Sequence, residues 1–332
     1  MIAHGGALAK AVQKYGGNKG NWLDLSTGIN PVSVPLPKIG PSIWQALPDV
    51  DSLEACLRSA RHFYRIPSSA TMVAAPGVQA LIQLLPQLRQ GAKAAIFGPT
   101  YGEYAHVFQT LGAGRRIINS IDDIQNESVV ILVNPNNPTG KMQKSEPLLG
   151  LAKTLASKGG LLIVDEAFCD LFPDFSVAGH AGMRGLLVLK SFGKFFGLAG
   201  VRLGFAAGHA DDILILERAL GPWAVSGPAL TIGATCYSND VLRSQITRTI
   251  QRNSKAQRKV FSAAALNVIA DTGLFYLVEH TAANTLYDRL ARKHILTRVF
   301  ADNPTWLRLG LCKNNDERAR LAAALDACLS AL

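Results

Sequence analysis

Between residues 71 and 206 the chain repeats one pattern, a short run of consecutive apolar residues followed by a stretch with apolar positions three and four apart. The runs at 71–75, 92–97, 115–118, 129–133, 161–164, 186–189 and 203–206 predict strands, and 78–88, 101–111, 146–157 and 211–220 predict helices. Strands without polar alternation, most of them separated by helices, belong to a mostly parallel sheet sandwiched by helices, an α/β architecture. Upstream, a short helix is expected near 8–15. The prolines at 35, 37, 41 and 48 keep the chain extended. Leu53, Leu57, Ala60, Phe63 and Tyr64 mark an amphipathic helix with Ser52 as its N-cap. Beyond Gly221-Pro222 the pattern gives a long helix over about 241–265, a strand at 273–278 and a helix at 283–293. Strands near 295–300 and 306–311 and a closing helix at 316–329 follow. The expected division is an N-terminal arm (1–35), a large α/β domain (36–222) and a smaller C-terminal α+β domain (223–332).

Composition narrows the classes. A chain of 332 residues, 48% hydrophobic, can bury a large core, yet no apolar run approaches the roughly 20 residues that span a bilayer. The opening residues show no signal-peptide pattern, and five scattered cysteines fit reduced thiols, so a cytoplasmic location without metal or disulfide framework is expected. The net charge of +10 raises the question of nucleic acid. The one dense basic stretch, with Arg248, Arg252, Lys255 and Arg258, reads as a solvated helix face. A positive field instead suits small anionic ligands.

The chemistry collects after the strands. Ser191-Phe192-Gly193-Lys194-Phe195-Phe196-Gly197 sets one lysine among small and aromatic residues, with Arg202 eight positions on. Burial lowers a lysine's pKa and lets it attack a carbonyl as a Schiff-base former. Ser191 and Arg202 suit a phosphate. An aldehyde and a phosphate together describe pyridoxal phosphate; the plainer reading is a glycine-rich turn with a surface lysine. Pro76-Gly77-Val78-Gln79 opens a helix where backbone N–H groups face an anion. Tyr101, after a strand, can stack on a flat ring or simply pack. Asn134-Pro135-Asn136-Asn137-Pro138-Thr139-Gly140 forms a constrained polar loop with amide donors. Asp165 ends an apolar strand, where a carboxylate needs a partner, either a protonated pyridine nitrogen or a metal. No His or Cys lies at metal-ligand spacing. Arg308, inside an apolar strand, is paired internally or awaits an acidic ligand, and Arg298 is a second candidate or a surface residue.

The asparagine loop, Asp165, and Ser191, Lys194 and Arg202, in this order and spacing, resemble the fold-type I pyridoxal-phosphate enzymes, the aspartate aminotransferase superfamily, over essentially the whole chain. The resemblance implies a homodimer whose Lys194 carries the cofactor and moves protons. It implies that Asp165 pairs with the ring nitrogen, Asn137 holds the ring phenolate and Tyr101 stacks. Gly77, Val78, Ser191 and Arg202 would hold the phosphate. Within the superfamily the chain is similar to the histidinol-phosphate aminotransferase branch. It is closer still to the threonine-phosphate decarboxylases of cobalamin biosynthesis, on His4-Gly5-Gly6, the stretch Asp24 to Pro31 and Leu47-Pro48-Asp49-Val50-Asp51. That branch implies an arm packing on the active site and a phosphorylated amino-acid substrate. His4 and Arg298 would then lie at the substrate phosphate, Asn30 near its amino-acid part and Arg308 at its carboxylate. An aminotransferase is the alternative activity, and a cofactor-binding regulator with a degenerate site the alternative class. Phe168 and Leu47 depart from the family's tyrosines; each removes a hydrogen bond, Phe168 to the phenolate and Leu47 to the neighbouring subunit's cofactor phosphate.

Overall fold

The computed structural model describes residues 5–110, 112 and 114–332. They fall into two compact units. The larger comprises 34–137 and 141–244; the smaller comprises the described residues up to Ser33, together with 138–140 and 245–332.

The larger unit is built on seven strands: β1 (Thr71–Ala75), β2 (Ala94–Phe97), β3 (Arg115–Ile118), β4 (Val129–Val133), β5 (Leu161–Asp165), β6 (Leu186–Ser191) and β7 (Gly204–Gly208). Their spatial order is β1-β7-β6-β5-β4-β2-β3. Only β7 runs against its neighbours, β1 and β6. Every residue of β4 and β5 is buried, as continuous apolar strands covered on both faces must be. Strand β7 begins and ends on glycine, so its apolar run understates it. A Cβ at Gly204 would sit 2.6 Å from the Val78 amide nitrogen.

Local chemistry moves several boundaries. The helix expected over 78–88 is α-helical only over Val78–Leu84 and tightens to a 3₁₀ turn over Leu85–Arg89, where Pro86 lacks an N–H. The helix Val50–Tyr64 is capped by Asp49 and not by Ser52: the Asp49 carboxylate accepts from the Ser52 amide at 2.7 Å. Pro41 opens a short helix, Pro41–Gln45, where extended chain was expected, because proline suits a first helical turn. The helix Gly227–Ser238, absent from the pattern, is buried nearly all round and packs on Val50–Tyr64, so no polar face betrays it.

The smaller unit carries an antiparallel sheet ordered Arg298–Phe300, Asn303–Gly310, Phe275–Glu279, Asn267–Asp271. The run expected as one strand over 295–300 is split. Ile295–Leu296 pairs in parallel with Leu23–Asp24, and Arg298–Phe300 joins the sheet. The helix Leu8–Tyr15 packs with Trp22, Ala291 and Leu296. Among the described residues no helix is long and apolar enough to cross a membrane, and the five cysteines are buried thiols.

Candidate functional site

In the larger unit the chemistry-bearing residues gather where strands end at their carboxyl edge, the position at which open α/β sheets bind ligands. Asp165 closes β5 and is buried. Its Oδ2 accepts from the Tyr104 hydroxyl at 2.6 Å, and its Oδ1 accepts from the Ala167 amide at 2.9 Å. Burial raises the pKa of this carboxyl. The two donors and the charge of Lys194 oppose that shift. Lys194, half-buried in the turn Phe192–Phe195 that follows β6, has its Nζ 5.7 Å from the centre of the Phe168 ring. An amine and a buried carboxylate therefore share one electrostatic environment.

Arg202 and Gly77 meet directly. Gly77, at φ +82°, precedes the helix Val78–Leu84, and a Cβ there would lie 2.6 Å from Arg202 Nη2. The guanidinium occupies space that only glycine leaves open. Arg202 itself is left-handed (φ 57°), and its Nη1 donates to the Ala199 carbonyl at 3.1 Å. Ser191 ends β6 opposite Gly204.

The asparagine loop is anchored at both ends. The buried Asn134 accepts from the Gln143 amide at 2.9 Å and donates to the carbonyls of Gln143 and Phe175 at 3.0 and 3.1 Å. Asn136 accepts from Thr100 Oγ1 at 2.6 Å and donates to the Pro99 carbonyl at 2.8 Å, which ties the loop holding Asn137 to the turn holding Tyr101. The Tyr101 hydroxyl donates to Gln79 Oε1 at 3.0 Å, and Gln79 Nε2 donates to the buried Glu103 at 2.8 Å. These donors, one flat aromatic ring, an amine and a buried carboxylate could hold pyridoxal phosphate. The cradle at Gly77 and Arg202 fits its phosphate, and Asp165 fits its ring nitrogen.

In the smaller unit Arg308 is buried over the Phe275 ring (5.2 Å), and its Nη2 donates to the Ser26 carbonyl at 2.5 Å. Burial, reinforced by the neighbouring charge of Arg298, pulls its pKa down to about 9. Arg298 stands directly opposite Arg308 across the antiparallel ladder. Like charges in that register repel unless an anion compensates them. A Cβ at Gly5 would come within 3.4 Å of Arg308 Nη2, so the glycine of the N-terminal motif lies against this arginine. Asn30 is buried, and its Oδ1 accepts from the Val32 amide at 3.0 Å, an Asx turn. His4 lies outside the described residues. Leu47 is 66% exposed. Nothing in the sequence marks Tyr104, since a tyrosine in an amphipathic stretch reads as core.

A seven-stranded, mostly parallel sheet thus carries lysine, aspartate and arginine at the edge where open α/β sheets take ligands. The chain belongs to the class I and II aminotransferase family, whose model matches residues 43–325. It is 46% identical to a threonine-phosphate decarboxylase of Sinorhizobium sp over 98% of this chain and 97% of that protein. Against a threonine-phosphate decarboxylase of Pseudomonas aeruginosa the identity is 37%, again over 98% and 97%. Among solved structures, a histidinol-phosphate aminotransferase of Sinorhizobium meliloti in complex with pyridoxal-5'-phosphate shares the fold, with a TM-score of 0.82, 17% identity, and coverage of 100% of this chain and 95% of that one.

Proposed function

We propose that this protein is a pyridoxal-phosphate-dependent decarboxylase that converts L-threonine O-3-phosphate to (R)-1-amino-2-propanol O-2-phosphate in cobalamin biosynthesis. The observation that carries the substrate is the register that sets Arg298 opposite Arg308, two guanidiniums for a molecule bearing both a carboxylate and a phosphate. The near full-length similarity to two threonine-phosphate decarboxylases supports the reaction.

When bound, the cofactor supplies an aldehyde for the substrate amine and an electron-poor ring that accepts the electron pair of a bond breaking at Cα. The remaining roles fall to the chain. Gly77, Val78, Ser191 and Arg202 bind the cofactor phosphate, Tyr101 flanks the ring, Asn137 donates to its phenolate, and Asp165 holds the ring nitrogen protonated. Arg308 takes the substrate carboxylate, while Arg298 and His4 take its phosphate and Asn30 lies near the amino-acid part. Orientation by those cations selects which bond at Cα breaks. Carbon dioxide leaves, and Lys194 Nζ returns one proton to Cα.

A homodimer completes the proposal. Trp44, Leu47 and Trp223 leave bulky apolar surface exposed, and Ile43, beside Trp44, packs its carbonyl against Gly227, just after Trp223. Exposed apolar surface of this kind fits a second copy; a dimer by sedimentation that Trp44→Glu dissociates is the expected result. The cell compartment proposed is the cytoplasm. The deciding assay supplies threonine phosphate without any keto acid. Release of carbon dioxide is expected, and an absolute requirement for 2-oxoglutarate would replace this reading with a histidinol-phosphate-type aminotransferase.

A further inference from the structure

Asp165 does not stand alone at the end of β5. Tyr104, in the helix Glu103–Thr110, is fully buried, and its hydroxyl points at Asp165 Oδ2 at 2.6 Å. The Ala167 amide occupies the other oxygen. The ring of Tyr104 meets that of Tyr101 edge-on, with centroids 6.2 Å apart and planes at 81°. One helix start thus presents one tyrosine ring beside the cofactor position and a second tyrosine to the carboxylate.

We infer that Tyr104 is a positioning residue for the cofactor, acting through Asp165: its hydroxyl fixes the plane of the carboxylate and keeps it ionised to receive a protonated ring nitrogen. The inference rests on the reading of the site as a pyridoxal-phosphate site. A buried carboxyl prefers to be neutral, and a neutral acid cannot hold a pyridinium. A donor on the charged form opposes that preference. With one oxygen taken by the phenol and one by a backbone amide, the carboxylate has one orientation, and its remaining lone pairs point one way. The tyrosine stays a donor, since burial and the adjacent Asp165 charge hold its own pKa well above the ordinary value.

Affinity for two cofactor forms tests this. One is pyridoxal phosphate; the other is its 1-deaza analogue, with C–H in place of the ring nitrogen. Both carry the phosphate, so only the analogue is blind to Asp165. The full-length wild-type chain should bind pyridoxal phosphate more tightly than the analogue. Tyr104→Phe should cut that ratio about tenfold, the order that a hydrogen bond to a charged group contributes. The loss should grow as pH falls, because the variant's Asp165 protonates at higher pH. If Tyr104→Phe weakens both ligands equally, with an unchanged ratio and pH profile, the tyrosine is merely structural and the inference fails. If the wild type does not distinguish the two ligands, the reading of Asp165 itself fails, which is a separate result. Should Tyr104→Phe not fold, 3-fluorotyrosine placed at position 104 keeps the shape and donates more strongly. It should raise the ratio, and no change would overturn the inference.

Discussion

Gly77→Ala asks the most of the geometry with the smallest change in chemistry. At φ +82° and ψ 158° the backbone lies in a region that is essentially glycine's own, so alanine costs about 1–3 kcal/mol in the folded chain. The methyl group would also stand 2.6 Å from Arg202 Nη2 and 3.0 Å from its Cζ. The guanidinium must withdraw, and its charged hydrogen bonds to a phosphate go with it, a further loss of roughly 1.5–3 kcal/mol. The two losses separate by assay. Urea unfolding of the cofactor-free chain reads the backbone term. Binding of pyridoxal phosphate against pyridoxal, which lacks the phosphate, reads the cradle, and the substitution should weaken pyridoxal phosphate by about 10- to 150-fold while leaving pyridoxal nearly unaffected. Equal weakening of both ligands, or unchanged affinity for the phosphorylated one, would refute the assignment of Gly77 and Arg202 as phosphate holders.

Three further outcomes are expected. Lys194→Ala should leave pyridoxal phosphate with the absorbance of the free aldehyde on mixing and should abolish carbon dioxide release; appreciable turnover would remove Lys194 from its role. Arg298→Ala should raise KM for threonine phosphate by about tenfold or more with a smaller change in kcat, and unchanged kinetics would release the residue from the site. Asp170 is shielded from solvent with no hydrogen-bond partner for either oxygen, and burial, opposed by Lys190, pushes its carboxyl up to about 7. The folded chain therefore binds this proton more tightly than the unfolded chain, whose aspartate titrates near 4. Stability contributed at Asp170 falls as pH rises from about 4 to about 7, so Asp170→Asn should gain stability relative to the wild type across that window in urea unfolding, and a pH-independent difference would contradict the burial argument.

What the chain reveals before folding depends on whether a feature is local. Strands β4 and β5, buried at every residue, lie on their apolar runs because a strand covered on both faces needs no partner to be recognised. The glycine, asparagine, aspartate and lysine proposed for the cofactor stand out in the sequence because they fall at or just after the ends of apolar runs. Tyr104 does not, since a tyrosine in an amphipathic stretch looks like core until the carboxylate it faces is known. The helix Gly227–Ser238 escaped for the opposite reason, its buried residues being spread around most of its circumference.

The proposed anion receptor in the smaller unit is the least local feature. Arg298 and Arg308 are ten residues apart in sequence, and nothing in either strand states that they face one another. The turn through Ala301 and Asp302 and the irregularity between Val299 and Phe300 decide it. Arg298 pairs with Arg308 and Val299 with Leu307, yet Phe300 pairs with Asn303, so the ladder shifts once before the turn. A slip of one residue would set Arg298 opposite Leu307 or Leu309 and send one of the two side chains to the other face of the sheet. Two guanidiniums then could not converge on one substrate. The proposed specificity for a ligand with two anionic groups thus rests on a register that the pattern of apolar and polar residues alone does not encode.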